Sequence, residues 1–197
     1  MSTDFLSFVN ARRGHFKLES GHHGDLWMDL ETLCLKPREI RPFAVQLARQ
    51  LVQYQVDVIC GPMVEGAFIA LLVAGELGCD FVYAERHVDG NNEQLFPVKY
   101  RLPKTLRSTV SGKRVAIVND VINAGSAVLG AWTDLQEQGA RVVAIGALLV
   151  LGEPIVKFAA EQKISLETLK QMPNNLWVPA KCPLCAAGEP IEIVGTS

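Results

Sequence analysis

No stretch of this sequence is apolar for long enough to cross a bilayer. The longest run, Val142 to Leu151, is about half of the ~20 residues that a helical span needs, so it is expected to form a buried strand. Neither sign of charge prevails: 19 lysines and arginines stand against 21 aspartates and glutamates, a formal charge of −2, which leaves no global basic field to gather nucleic acid or an acidic membrane. The cysteines are few, odd in number and scattered (Cys34, Cys60, Cys79, Cys182, Cys185), and no charged-then-apolar leader precedes them. A reducing, cytoplasmic setting is expected. Also missing are a G-x-G-x-x-G run after a strand, which dinucleotide folds favour, and the G-x-x-x-x-G-K-[ST] loop of triphosphate binders. There is no internal repeat, low-complexity tract or dividing linker, and 197 residues with 49% hydrophobic side chains are enough for one core, so a single domain over 1–197 is expected.

What is present is an alternation of short apolar runs with helical patterns. Ser2-Thr3-Asp4 suits the cap of a short helix carrying Phe5, Phe8 and Val9 inward and ended by Gly14. Residues 15–19 and 26–30 then read as extended pieces around a turn at 20–25, together a hairpin, with His22-His23 in the solvated turn. Pro37 suits the first turn of a helix in which Ile40, Phe43, Ala44, Leu47, Ala48 and Leu51 recur at helical spacing. Runs at 57–61, 80–84, 114–119 and 141–151, separated by helical patterns at 67–77 and 126–138, predict an α/β fold with a parallel sheet in right-handed crossovers. Pro154 and 165–172 read as helical pieces, and Pro173-Asn174-Asn175 opens a loop-rich tail over 173–197.

The chemistry concentrates in 114–128, where a buried strand runs through small polar residues into a helix. Ligands of open parallel sheets bind beyond the carboxyl ends of strands, which places a site at Asn119 to Ser126. Asn123, Ala124, Gly125 and Ser126 are compact enough for backbone N–H groups to converge on an anion, with the hydroxyl of Ser126 and the helix dipole in support. Asp120 is suited to accept hydrogen bonds from two adjacent sugar hydroxyls, and Asn119 to share that task. The competing reading is that Asp120 only caps the helix and Gly125 only turns the chain.

On these residues the chain resembles the type I phosphoribosyltransferases, whose phosphoribosyl diphosphate (PRPP) motif is four apolar residues, two acids and a small-residue loop. Val115 to Ala127 follows that pattern with Asn119 at the first acid. Phe16-x-Leu18-x-Ser20-Gly21 with Leu26-Trp27-Met28-Asp29 resembles the hood of the orotate branch, and Gly61-Pro62-x-x-x-Gly66 its diphosphate loop. The resemblance implies an open, twisted, mainly parallel sheet flanked by helices, with a small hood built largely from the N-terminal region, to which residues 1–36 contribute. It implies Mg²⁺-dependent transfer of 5-phosphoribosyl from PRPP to a nucleobase nitrogen, orotate first, with Asp120 and Asn119 at the ribose and catalytic centre. PRPP would be held by Val121, Ile122, Asn123, Ala124, Gly125, Ser126, Ala127, Arg86, Glu65 and Gly66, and the base by Trp27 and Asn123. No protein-held metal is assigned by it; Mg²⁺ would arrive with PRPP. The partners implied are PRPP, a nucleobase and a second copy in a homodimer, with no nucleic acid and no membrane.

Glu19 and Glu65 stand where the orotate branch usually carries lysines, and 87–92 does not match its lysine-rich mobile loop. These departures motivate an alternative, a non-catalytic PRPP- or nucleotide-binding regulator on the same fold. Between Glu93 and Asp120 lie Lys99, Arg101, Lys104, Arg107, Lys113 and Arg114 without an acid. This segment is either a solvated ribbon or a source of cations for the diphosphate; beyond Phe96 and Tyr100 it has no interleaved aromatics to stack on nucleic acid. Cys182-x-x-Cys185 supplies half of a tetrahedral zinc site with no second pair at knuckle spacing; reduced structural thiols are the first reading, and zinc held across a dimer or with a distant ligand is the alternative. Trp27 and Trp177 are each more readily packing residues than base platforms.

Overall fold

The computed structural model describes residues 5–88 and 98–194. Strands β1 (Asn10–Lys17) and β2 (His23–Asp29) form the expected hairpin, and helix α1 (Pro37–Leu51) follows. The central part alternates as expected: β3 (Val58–Pro62), α2 (Glu65–Leu77), β4 (Asp80–Val88), β5 (Val98–Arg101), the short α3 (Arg107–Val110), β6 (Arg114–Ile122), α4 (Ser126–Glu137) and β7 (Arg141–Leu151). Helix α5 (Pro154–Gln162), strands β8 (Ser165–Met172) and β9 (Leu176–Trp177), helix α6 (Pro183–Ala186) and β10 (Glu192–Ile193) complete it.

Two sheets result. The larger has the order β5-β4-β3-β6-β7-β8, parallel throughout except for the antiparallel β4–β5 edge. Its central strands are buried on both faces, which is why they read as unbroken apolar runs. In β6, Val115 and Ile117 enter the cluster under α4 and α5, whereas Ala116 and Val118 enter the one under α1 and α2. The smaller sheet has the order β10-β1-β2-β9, so the hood is built from both ends of the chain, with the N-terminal hairpin in its centre.

Several expectations need correction. Residues 165–172 are not helical but form β8, paired in parallel with β7 from Ala144↔Ser165 to Leu151↔Met172. Gly14 lies inside β1 and ends no helix; the segment Phe5–Phe8 is a single 3₁₀ turn. His23 is not in a solvated turn but opens β2, only 7% exposed. The basic segment is not a simple ribbon, because Val98, Tyr100 and Leu102 are buried and β5 closes the sheet edge. Ser2-Thr3-Asp4 and most of 87–92 lie outside the described residues. Among the described residues, no helix is long and apolar enough to cross a membrane.

Candidate functional site

The site lies at the carboxyl ends of β3, β4 and β6, under the β1–β2 turn. Strand β6 runs on through Asn119 and Asp120 to Ile122, and the chain then turns into α4 with Gly125 at its N-cap, φ 85°. A side chain there would be strained by that backbone, so glycine is favoured at this turn. Among the described residues no side chain caps this helix start, which leaves its first N–H groups available, with the positive end of the helix dipole behind them. Asn123 to Val128, with Leu18, Glu19, Ser20, Trp27, Asn119, Val121 and Ile122, line a recess of about 130 Å³ at this place.

Glu19, in the hairpin turn, organises the recess. Its carboxylate accepts the Ser126 hydroxyl at 3.3 Å, the Tyr100 hydroxyl at 3.0 Å and Arg86 Nε at 2.8 Å. Arg86 and Tyr100 face each other across the β4–β5 pair, which is how residues far apart in sequence converge on one carboxylate. Burial and the neighbouring carboxylate hold the Tyr100 phenol well above its ordinary pKa, so it remains a donor. Arg86, expected at PRPP, is therefore engaged by Glu19. Neither Tyr100 nor Asn174, whose amide donates to Asn123 Oδ1 at 2.8 Å, had a motif or spacing to mark it.

Asn119 has a role that the sequence did not reveal. Its amide donates to the Val121 carbonyl at 2.9 Å, which an ionised aspartate cannot do, and its Oδ1 faces Gly66 so closely that a Cβ there would overlap it. A Cβ on Gly61 would meet Ala67 Cα and Ala70 Cβ at 2.6 Å, so Gly61 lets α2 close onto β3 while Gly66 lets the turn pack on β6. Asn119 thus positions this turn. Asp120 is 4% exposed; burial, opposed by the Val121 N–H and reinforced by Glu65, pushes its carboxyl from 3.8 up to about 7.

A second, wider cavity of about 510 Å³ separates the hood from the sheet. Among the described residues, its walls hold five acids (Glu19, Asp29, Glu31, Glu65, Glu192) and two arginines, Arg12 and Arg86. Both arginines are paired, Arg12 with Glu192 at 2.9 Å and Arg86 with Glu19. Trp27 borders both cavities, whereas Trp177 lies in β9 opposite His23. In the basic segment, Arg107 donates to the Leu102 carbonyl at 3.2 Å and Arg114 to the Tyr54 and Gln55 carbonyls at 3.1 Å, so both are spent on backbone.

A mainly parallel sheet whose strand β6 runs through a small-residue loop into a helix beneath a hood is the architecture of phosphoribosyl-handling proteins, and the comparisons agree. The phosphoribosyl transferase domain model matches residues 33–176, and the chain belongs to that family. It is 26% identical to the orotate phosphoribosyltransferase of Caldanaerobacter subterraneus subsp. tengcongensis, over 97% of this chain and 92% of that one. It is 30% identical to the orotate phosphoribosyltransferase of Thermotoga maritima, over 93% and 90% respectively. The fold is shared with the adenine phosphoribosyl transferase of Trypanosoma brucei crystallised with AMP, pyrophosphate and ribose-5-phosphate, at a TM-score of 0.66 and 16% identity over 85% of this chain and 77% of that one.

Proposed function

We propose that this phosphoribosyltransferase moves 5-phosphoribosyl from PRPP to a ring nitrogen of a nucleobase and releases diphosphate, with orotate the first base to assay. The observation that carries the reading is the Glu19 carboxylate on the Ser126 hydroxyl, at the uncapped start of α4. The protein's own anion rests where a 5-phosphate is expected, and a phosphate would complete the same donors with more hydrogen bonds. Ionised Asp120 would then accept the ribose hydroxyls, and Trp27, which borders both cavities, would meet the base.

The five acids around the larger cavity oppose an approaching diphosphate, so the substrate must bring positive charge with it. Mg²⁺, a hard cation that takes oxygen ligands, would arrive with PRPP, and the Glu65 carboxylate in the cavity wall suits it. When bound it would neutralise the charge developing on the departing diphosphate. The reading includes a homodimer, supported by the exposed apolar side chains of Leu35, Phe68 and Leu71 beside a recess that Phe68 and Leu71 line with Cys34, Pro37 and Ile40.

The engagement of Arg86 by Glu19 favours one other reading, a regulator that binds PRPP or a nucleotide without turnover. Following diphosphate release from PRPP and Mg²⁺ against orotate, uracil, adenine and hypoxanthine separates them. Release with one base supports the enzyme, calorimetric PRPP binding with no release from any base supports the regulator, and absence of both refutes the site.

A further inference from the structure

On the far side of the β1–β2 turn, four side chains bring metal-binding atoms together. His15 of β1, His23 of β2, Cys182 and Cys185 place one ligand atom each within 4.8 Å of all the others. His15 Nε2 lies 3.3 Å from His23 Nδ1, 3.4 Å from Cys182 Sγ and 3.7 Å from Cys185 Sγ, and Cys185 Sγ lies 3.2 Å from His23 Nδ1. Around a tetrahedral zinc ion, with bonds of ~2.05 Å to nitrogen and ~2.3 Å to sulfur, two nitrogens stand about 3.3 Å apart and a nitrogen and a sulfur about 3.6 Å. These four separations fall on those values to within a few tenths of an ångström.

The topology explains the convergence. Strand β9 flanks β2 and β10 flanks β1, so the chain from 178 to 191 has to pass over the hairpin, and it carries Cys182-x-x-Cys185 across the two histidines. The hairpin register shifts between Arg13 and Phe16, a bulge that re-aims His15. His15 Nδ1 donates to the Glu189 carbonyl at 2.9 Å, since a carbonyl only accepts. That leaves the Nε2 lone pair of a neutral ring facing three neighbours, more than one lone pair can serve and the arrangement a cation satisfies. The carbonyl is also the outer partner that orients a metal-bound imidazole.

We infer that His15, His23, Cys182 and Cys185 form a structural zinc site that fastens the C-terminal segment onto the hood. Four protein ligands close the coordination sphere, so no position remains for a reacting water. Two of the ligands flank the turn that carries Glu19 and Ser20 to the phosphate recess, so the ion also fixes that turn.

The test uses the full untagged chain, expressed with zinc and purified under reductant. Elemental analysis should find about one zinc ion per chain. After chelation, Co²⁺ alone should restore intense visible bands of tetrahedral cobalt together with thiolate-to-cobalt charge transfer. Cys182→Ser should lose both, while His15→Cys should keep one ion and strengthen the charge transfer, which guards against misfolding of the first variant. Three outcomes would overturn the proposal: less than about a tenth of an ion per chain, a weak octahedral cobalt spectrum, or a Cys182–Cys185 disulfide in the reduced preparation.

Discussion

Replacing Gly66 with alanine probes the contact by which the β3–α2 turn rests on the end of β6. The added methyl would overlap Asn119 Oδ1, with Asn119 Cγ at 3.1 Å and Cα at 3.5 Å. The Asn119 amide can swing aside only by giving up its 2.9 Å hydrogen bond to the Val121 carbonyl. Overpacking costs roughly 1–3 kcal/mol and the lost hydrogen bond about 1 kcal/mol, so the variant should lose about 2–4 kcal/mol. For a chain of this size that lowers the Tm by about 4–16 °C. The sign should change in an Asn119→Ala background, where the nearest remaining obstacle is the Cα of that residue at an ordinary 3.5 Å. There alanine's better helix propensity, worth up to about 1 kcal/mol over glycine, should make the substitution neutral or stabilising. Urea denaturation of the four members of this cycle reads both numbers. If Gly66→Ala costs under about 0.5 kcal/mol alone, or as much in the Asn119→Ala background as beside the native Asn119, the packing argument is wrong.

Four further outcomes follow from the site and its surroundings. Glu19→Gln removes a negative charge from the Ser126 hydroxyl and should tighten ribose 5-phosphate binding by about fivefold, roughly 1 kcal/mol of relieved repulsion, read by calorimetry; weaker binding would make Glu19 a required acceptor instead. Asp120, pushed up to about 7 by burial and then by Glu65, should give ribose 5-phosphate affinity an acid limb, and Glu65→Gln should move that limb to lower pH; a limb that stays in place would remove Glu65 from the account. The same raised value means that the stability Asp120 contributes is fully present below about pH 4 and lost as pH rises through about 7. Asp120→Asn should therefore flatten the stability curve across that window. Asp134, buried in α4, accepts the Leu102 N–H at 2.8 Å and ties the helix to the strand edge; Asp134→Ala should cost about 1–3 kcal/mol by denaturation, while a loss within error would mean that water replaces it.

The core and the β6–α4 turn were legible because local pattern and tertiary role coincide there. Residues 142–151 are apolar because both faces of β7 are covered, and Gly125 stands where the chain needs a positive φ. Residues 165–172, Ser-Leu-Glu-Thr-Leu-Lys-Gln-Met, misled because leucine, glutamate, lysine and methionine favour helix, while pairing with β7 at the sheet edge made a half-buried strand. Glu19 was legible as a departure but not as a hub, since its partners lie 67, 81 and 107 positions away. The likeness of His15 and His23 to ordinary hairpin residues hid them for the same reason: their neighbours, Cys182 and Cys185, come from the opposite end of the chain.

The clasp of β9 and β10 around the first hairpin also orders events during synthesis. Phe16 cannot meet Glu192, nor His23 meet Trp177, until the ribosome has released nearly everything between them, whereas β3 through β7 can already assemble by near-neighbour crossovers. The lid over the recess is thus the last piece to be put in place. A nascent chain holds its sheet before it holds a finished pocket.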